Sequence, residues 1–117
     1  MNKHIENIET DRKIKFPPLY KQFLVNEIKD SDTYEINSKD DGAIYLFSYI
    51  DLVERNETYD IQSVEPFYFL IGQDGDLGYF IYVESGKESD VIFSVDLGAL
   101  GSLEMNEEAK DIYSLSA

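Results

Sequence analysis

The side chains of this sequence that perform chemistry in water are mainly carboxylates: 24 Asp and Glu stand beside one His and no Cys. Two carboxylates suffice for glycoside hydrolysis, one as general acid and one as base or nucleophile. With 24 of them in 117 residues some close pair is inevitable, so a pair carries no specificity. The absence of Cys removes disulfides, thiolate metal sites and thiol nucleophiles. His4 lies near the amino terminus without a second His, which leaves no basis for a triad or a zinc site and reads as a solvent-exposed residue. Asp74-Gly75-Asp76 has the opening of a calcium loop. An EF-hand loop, however, needs further oxygen ligands, a distal Glu at fixed spacing and flanking helices. Strand-like segments flank this one, and Gly with Asp forms turns readily. No cofactor, no metal and no enzymatic activity are expected.

The carboxylates are unevenly placed. From Asn56 to Ala117 two basic residues, Lys87 and Lys110, face thirteen acidic ones, a net −11. The first fifty-five residues hold eight basic and eleven acidic groups, a net −3. A negative field of this kind steers basic partners and repels acidic ones. Nucleic acid, whose phosphates require Lys and Arg, is an unsuitable ligand. Arg12, Lys13, Lys15 and Lys21 read as the solvated side of helices, not as a phosphate site.

The candidate contacts for a basic protein are Asp74, Asp76, Glu84, Asp96, Glu104, Glu107 and Glu108, with Tyr79 beside the first turn. Turns and helix starts at a sheet edge are accessible, which favours the turn from Asp74 to Gly78 and the groups around Asp96 and Glu104. Tyr20, Tyr49, Tyr59, Tyr68, Tyr79 and Tyr82 could line a recognition cleft, because Tyr joins a flat apolar body to a polar tip. Two plainer roles compete: acidic surfaces also raise solubility, and in a chain without Trp most of these rings are needed for the core.

The elements that must position these groups follow from the spacing of apolar residues. A short helix is expected over residues 2–13. Pro18 then starts a helix in which Phe16, Leu19, Tyr20, Phe23, Leu24 and Ile28 share one face. After a break at Asp30-Ser31-Asp32, residues 33–37 alternate as a strand, Lys39-Asp40-Asp41-Gly42 reads as a hairpin turn, and residues 43–47 return. Ser48 with Asp51 forms a capping-box pattern that opens a helix to about Tyr59. Three strands follow, at 67–71, 79–83 and 91–95; the first is apolar on both faces, as a central strand is. A last helix is predicted from Leu103 to Tyr113. The order implies one α+β domain over residues 1–117, its antiparallel meander flanked by helices. Residues 1–7 lack the apolar segment of a secretory signal, and the longest apolar run, Phe67 to Ile71, is far too short for a bilayer. The expected compartment is the cytoplasm.

Three segments together resemble the SUKH superfamily, the Smi–Knr family of α+β domains. Residues 16–24, Phe-Pro-Pro-Leu-Tyr-Lys-Gln-Phe-Leu, are similar to its proline-started helix. Ala43-Ile44-Tyr45-Leu46-Phe47-Ser48 leading to Leu52-Val53-Glu54-Arg55-Asn56 is similar to its strand, capped turn and helix. Residues 69–81, with Gly72-Gln73-Asp74-Gly75-Asp76 at their centre, resemble its strand, Gly/Asp turn and next strand, and Val95-Asp96-Leu97-Gly98 fits a later strand end. The resemblance spans residues 14–113. The chain departs from the pattern in its short leading helix and in lacking a Gly around 26–30. Many bacterial members are immunity proteins that bind and neutralise a toxin, often a nuclease; others are regulatory or scaffolding proteins. The resemblance therefore implies a small acidic inhibitor that occupies a basic toxin surface, with a regulatory or scaffolding module lacking a toxin partner as the alternative. The adjacent genes separate the two.

Overall fold

In the computed structural model, which describes residues 3–29, 34–37, 42–87 and 89–115, six strands form one sheet in chain order. The strands are β1 (Tyr34–Asn37), β2 (Ala43–Leu46), β3 (Tyr68–Asp74), β4 (Leu77–Tyr82), β5 (Ile92–Asp96) and β6 (Asn106–Ala109), and each pairs antiparallel with the next. This is the α+β meander expected. β3 is its central strand, and Phe69, Leu70 and Ile71 are all fully buried. The expected break at Asp30–Asp32 and the turn at Lys39–Asp41 lie outside the described residues.

Among the described residues four α-helices accompany the sheet: α1 (Lys3–Arg12), α2 (Pro18–Phe23), α3 (Tyr49–Thr58) and α4 (Ile61–Val64). Pro18 opens α2, where its missing N–H leaves nothing unpaired. The Leu19 N–H, still free in this first turn, donates to Asp90 Oδ1 at 3.1 Å, so the β4–β5 loop caps a helix 71 residues away in sequence. Glu9 of α1 accepts the Phe16 N–H at 2.9 Å and the Lys21 Nζ at 2.8 Å, which joins α1 to α2. Beyond Phe23 the helix widens into one π-helical turn over Leu24–Ile28, closed by the Lys29 N–H on the Leu24 carbonyl at 2.8 Å. Lys29 then turns at φ 55°, ψ −128°, a conformation that glycine would hold more cheaply.

α1 and α2 cover one side of the sheet. Phe16 meets Phe69 at 5.5 Å and Tyr20 at 5.7 Å, and Phe23 meets Tyr34 at 5.7 Å, each edge to face. Partners in an antiparallel ladder point to the same side. Tyr34, Leu46, Phe69 and Ile81 therefore share the helix-covered side through their pairings.

The segment 103–113 is not the helix that its apolar spacing predicts. Residues 106–109 pair with β5 as β6, and a short 3₁₀ turn follows at Ile112–Ser114. The polar backbone edge of β5 would otherwise stand unpaired, and satisfying it outweighs the helix propensity of Glu, Met and Ala. Ile112 is buried in the new arrangement, so the apolar demand is met without a helix.

Candidate functional site

The second side of the meander is the one from which a site can be built. Register places Tyr45, Gln73, Gly78 and Val95 there in one row, and Leu70, Phe80, Phe93 and Glu107 in another. Leu97 fills the middle: a Cβ on Gly78 would meet Leu97 Cδ2 and Leu70 Cδ1. A cleft opens on one flank of that plug and an aromatic surface on the other.

The cleft, of about 330 Å³, is lined by Tyr45, Phe47, Asp51, Arg55, Gln73 and Gly75 among others. α3 supplies one wall. Ser48 starts this helix by accepting the Ile50 N–H at 3.3 Å, which aims Asp51 and, one turn later, Arg55 into the cleft. The Arg55 guanidinium lies 5.7 Å from the centre of the Phe47 ring, within cation–π range. At the floor, Gln73 Nε2 donates to the Gly75 carbonyl at 2.9 Å, while Gln73 Oε1 is buried with no hydrogen-bond partner among the described residues.

Asn56 holds this wall in place. β2 pairs with β3 only at Gly72 and Gln73, and Asn56, 1 % exposed, takes with its amide the backbone groups of Leu70, beyond that pairing and next to the bulge between Leu70 and Gly72. Its Nδ2 donates to the carbonyls of Leu52 and Leu70 at 2.8 and 2.9 Å, and its Oδ1 accepts the Leu70 N–H at 2.8 Å and Gln62 Nε2 at 3.0 Å. Past the bulge Gly72 allows β2 to approach: any Cβ there would collide with the Tyr45 carbonyl. The hairpin that follows turns at Gly75, φ 59°, with Asp76 at negative φ, as in a type II′ turn.

The predicted contact residues separate into groups. Asp74 pairs with Leu77, which pairs with Asp96, and the Leu97 N–H donates to the Asp76 carbonyl at 2.8 Å, so these three acids gather at one end of the sheet. Asp76 and Asp96 are exposed and Asp74 is half-buried; Asp96 also accepts the Gly98 N–H at 2.8 Å. Glu84 lies past the opposite end of β4, where it accepts the Tyr82 hydroxyl and sits 3.7 Å from Lys87 Nζ. Glu104 is exposed ahead of β6. Glu107 and Glu108 alternate along the edge strand: Glu107 faces the side of Phe93, and Glu108 accepts Ser94 Oγ at 3.0 Å. Tyr79 requires a correction. It is 4 % exposed on the helix-covered side, so it belongs to the core and presents no surface to a partner.

Sequence reading passed over Tyr45, Arg55 and Gln73 as contacts, and Phe67, whose ring is 47 % exposed. The signal for Arg55 was its place beside Asn56, since a buried clamp fixes the helix face on which its neighbour sits. His4 is exposed but stacks on Tyr49 at 4.7 Å, tying α1 to α3. Among the described residues no three of His, Cys, Asp and Glu lie close enough to hold a metal ion, and no helix is long and apolar enough to cross a membrane. The whole arrangement offers a pocket with paired donor and acceptor groups, an acidic end and an aromatic flank, which are the materials of recognition. Compared with protein-family models and with curated proteins, the chain matches no family model and none of those proteins.

Proposed function

We propose that this chain is a non-catalytic protein-binding domain of the SUKH type, an immunity protein of the bacterial cytoplasm that neutralises a basic, nuclease-type toxin domain. The observation that carries the reading is the gathering of Asp74, Asp76 and Asp96 at the end of a sheet whose chain half holds a net −11. A nuclease surface is cationic because it must hold phosphate, and an acidic protein end competes for it. Inhibition then needs only occupancy, either of the active site or of a neighbouring surface, and no turnover.

The test is a search of the adjacent genes for a basic toxin domain and co-expression with it, followed by purification of the complex and association kinetics at several salt concentrations. The double reversal Asp74→Lys and Asp76→Lys is expected to slow association about ten-fold in low salt and to flatten its salt dependence. Unchanged low-salt kinetics would remove the turn from the interface. Dead cells and no recoverable complex would refute the immunity reading itself.

A further inference from the structure

The flank of the second side away from the Asp74 turn carries a chain of rings. Phe67 meets Tyr82 at 6.3 Å, Tyr82 meets Tyr68 at 5.3 Å, and Tyr68 meets Phe93 at 5.3 Å. Tyr68 and Tyr82 are direct cross-strand partners. Phe67 is 47 % exposed, and Tyr68, Tyr82 and Phe93 are half-buried. Carboxylates surround the rings. Glu84 accepts the Tyr82 hydroxyl, and Glu107 is the cross-strand partner of Phe93. Burial first, then the negative charges of Glu65 and Glu107, raise the Tyr68 phenol above its ordinary pKa. Lys87 Nζ sits 3.7 Å from Glu84 Oε2 with 69 % of its side chain in water, a contact that a competing cation displaces cheaply.

An aromatic surface framed by carboxylates is complementary to a planar cation. Each ring presents a negative π-face, and the acids accept hydrogen bonds from the edge of the ion. Guanidinium fits better than ammonium: it is flat, weakly hydrated and has five donors in a fixed fork. We propose that this patch seats arginine side chains of the partner polypeptide, their guanidinium groups lying on Phe67, Tyr68 and Tyr82 and hydrogen-bonded to Glu84, Glu65 or Glu107. The inference rests on the partner being a cationic protein. It adds a second contact region, distinct from the acidic end, and names the side chain that region receives.

The test is a nuclear magnetic resonance titration of the isotopically labelled full chain with a hexa-arginine peptide, using hexa-lysine and hexa-citrulline as controls. Arginine peptide is expected to shift the ring and backbone signals of Phe67, Tyr68, Tyr82 and Phe93; lysine is expected to bind there several-fold more weakly, and citrulline not at all. Phe67→Ala removes a half-exposed ring that is not part of the buried core and is expected to weaken arginine-peptide binding about three-fold. Glu84→Gln tests the acidic frame separately and is expected to weaken it by a similar factor. Shifts confined to the Asp74, Asp76 and Asp96 end, equal shifts for lysine and arginine, or no effect of either substitution would each overturn the proposal. All three results leave the immunity reading standing, since that reading is decided by whether the toxin complex forms.

Discussion

Asn56 is a buried polar residue whose loss should be felt strongly in this fold. Replacing it with Leu keeps the number and branching of the side-chain heavy atoms but removes every hydrogen bond that ties Leu70 to α3. The Leu70 N–H and the Leu70 carbonyl then face an apolar side chain in buried surroundings. Each unsatisfied buried group costs about 1–3 kcal/mol, so the pair costs about 2–6 kcal/mol, with Gln62 losing an acceptor besides. Against a total stability of about 5–15 kcal/mol for a domain of this kind, that is a large fraction. Urea unfolding should show a midpoint lowered by roughly 2 M at unchanged slope. Asn56→Asp sharpens the argument. The carboxylate keeps an acceptor for the Leu70 N–H but sets negative oxygen against the carbonyls of Leu52 and Leu70, which raises its pKa. A group whose folded pKa is raised contributes its stability below its unfolded pKa, about 3.9, and loses it as pH rises through the folded value. The variant's deficit relative to the parent should therefore be small at pH 4 and several-fold larger at pH 7. A cost below about 1 kcal/mol for Asn56→Leu, or a deficit for Asn56→Asp independent of pH, would refute the clamp.

Three further substitutions have expected outcomes. Tyr20 is 1 % exposed and its hydroxyl has no partner among the described residues, so Tyr20→Phe should stabilise the domain by about 1 kcal/mol in thermal or urea unfolding. Burial raises the Tyr20 phenol far above its ordinary 10.0, so stability is complete below pH 10.0 and falls above it as the unfolded chain ionises; Tyr20→Phe should flatten that alkaline slope. Asp90→Ala should cost about 1 kcal/mol by uncapping α2, and hydrogen exchange of the Leu19 amide should accelerate. Lys29→Gly should raise the thermal midpoint, worth about 1 kcal/mol, because φ 55° strains a side-chain-bearing residue; an unchanged or lowered midpoint would contradict that strain.

What was legible in the sequence was whatever depended on neighbours in the chain. The proline at 18 and the Ser48 start of α3 each report a local rule and are where the rule puts them. Of the run Phe67–Ile71 expected to be apolar on both faces, Phe69, Leu70 and Ile71 are fully buried, while Phe67 lies exposed ahead of β3. What depended on distant partners was not legible. Asp90 caps a helix from 71 residues away, and nothing around it in sequence marks it as a cap. Residues 106–109 become a strand because β5 needs a partner, a demand absent from their own spacing. Tyr79 looked like a surface aromatic beside a turn; the bulge and the strand pairing decide that it points under α1 and α2 instead. Sequence also counted the acidic residues correctly without showing that they divide between an end, an edge and a face.

That division bears on how the proposed partner would be held. Asp76 and Glu84 lie beyond opposite ends of β4, whose six residues span about 20 Å. At physiological salt a charge is screened over about 8 Å, so the two regions act on a partner almost independently. On the proposed reading they also act at different moments. The carboxylates at Asp74, Asp76 and Asp96 attract from a distance and set how fast the partner arrives, which is why their effect disappears as salt is added. The rings at Phe67, Tyr68 and Tyr82 act only at contact, after water has left, and so govern how slowly it departs. An acidic end alone would attract any cationic surface; the aromatic flank, with its preference for a planar ion, is what would make the choice among them.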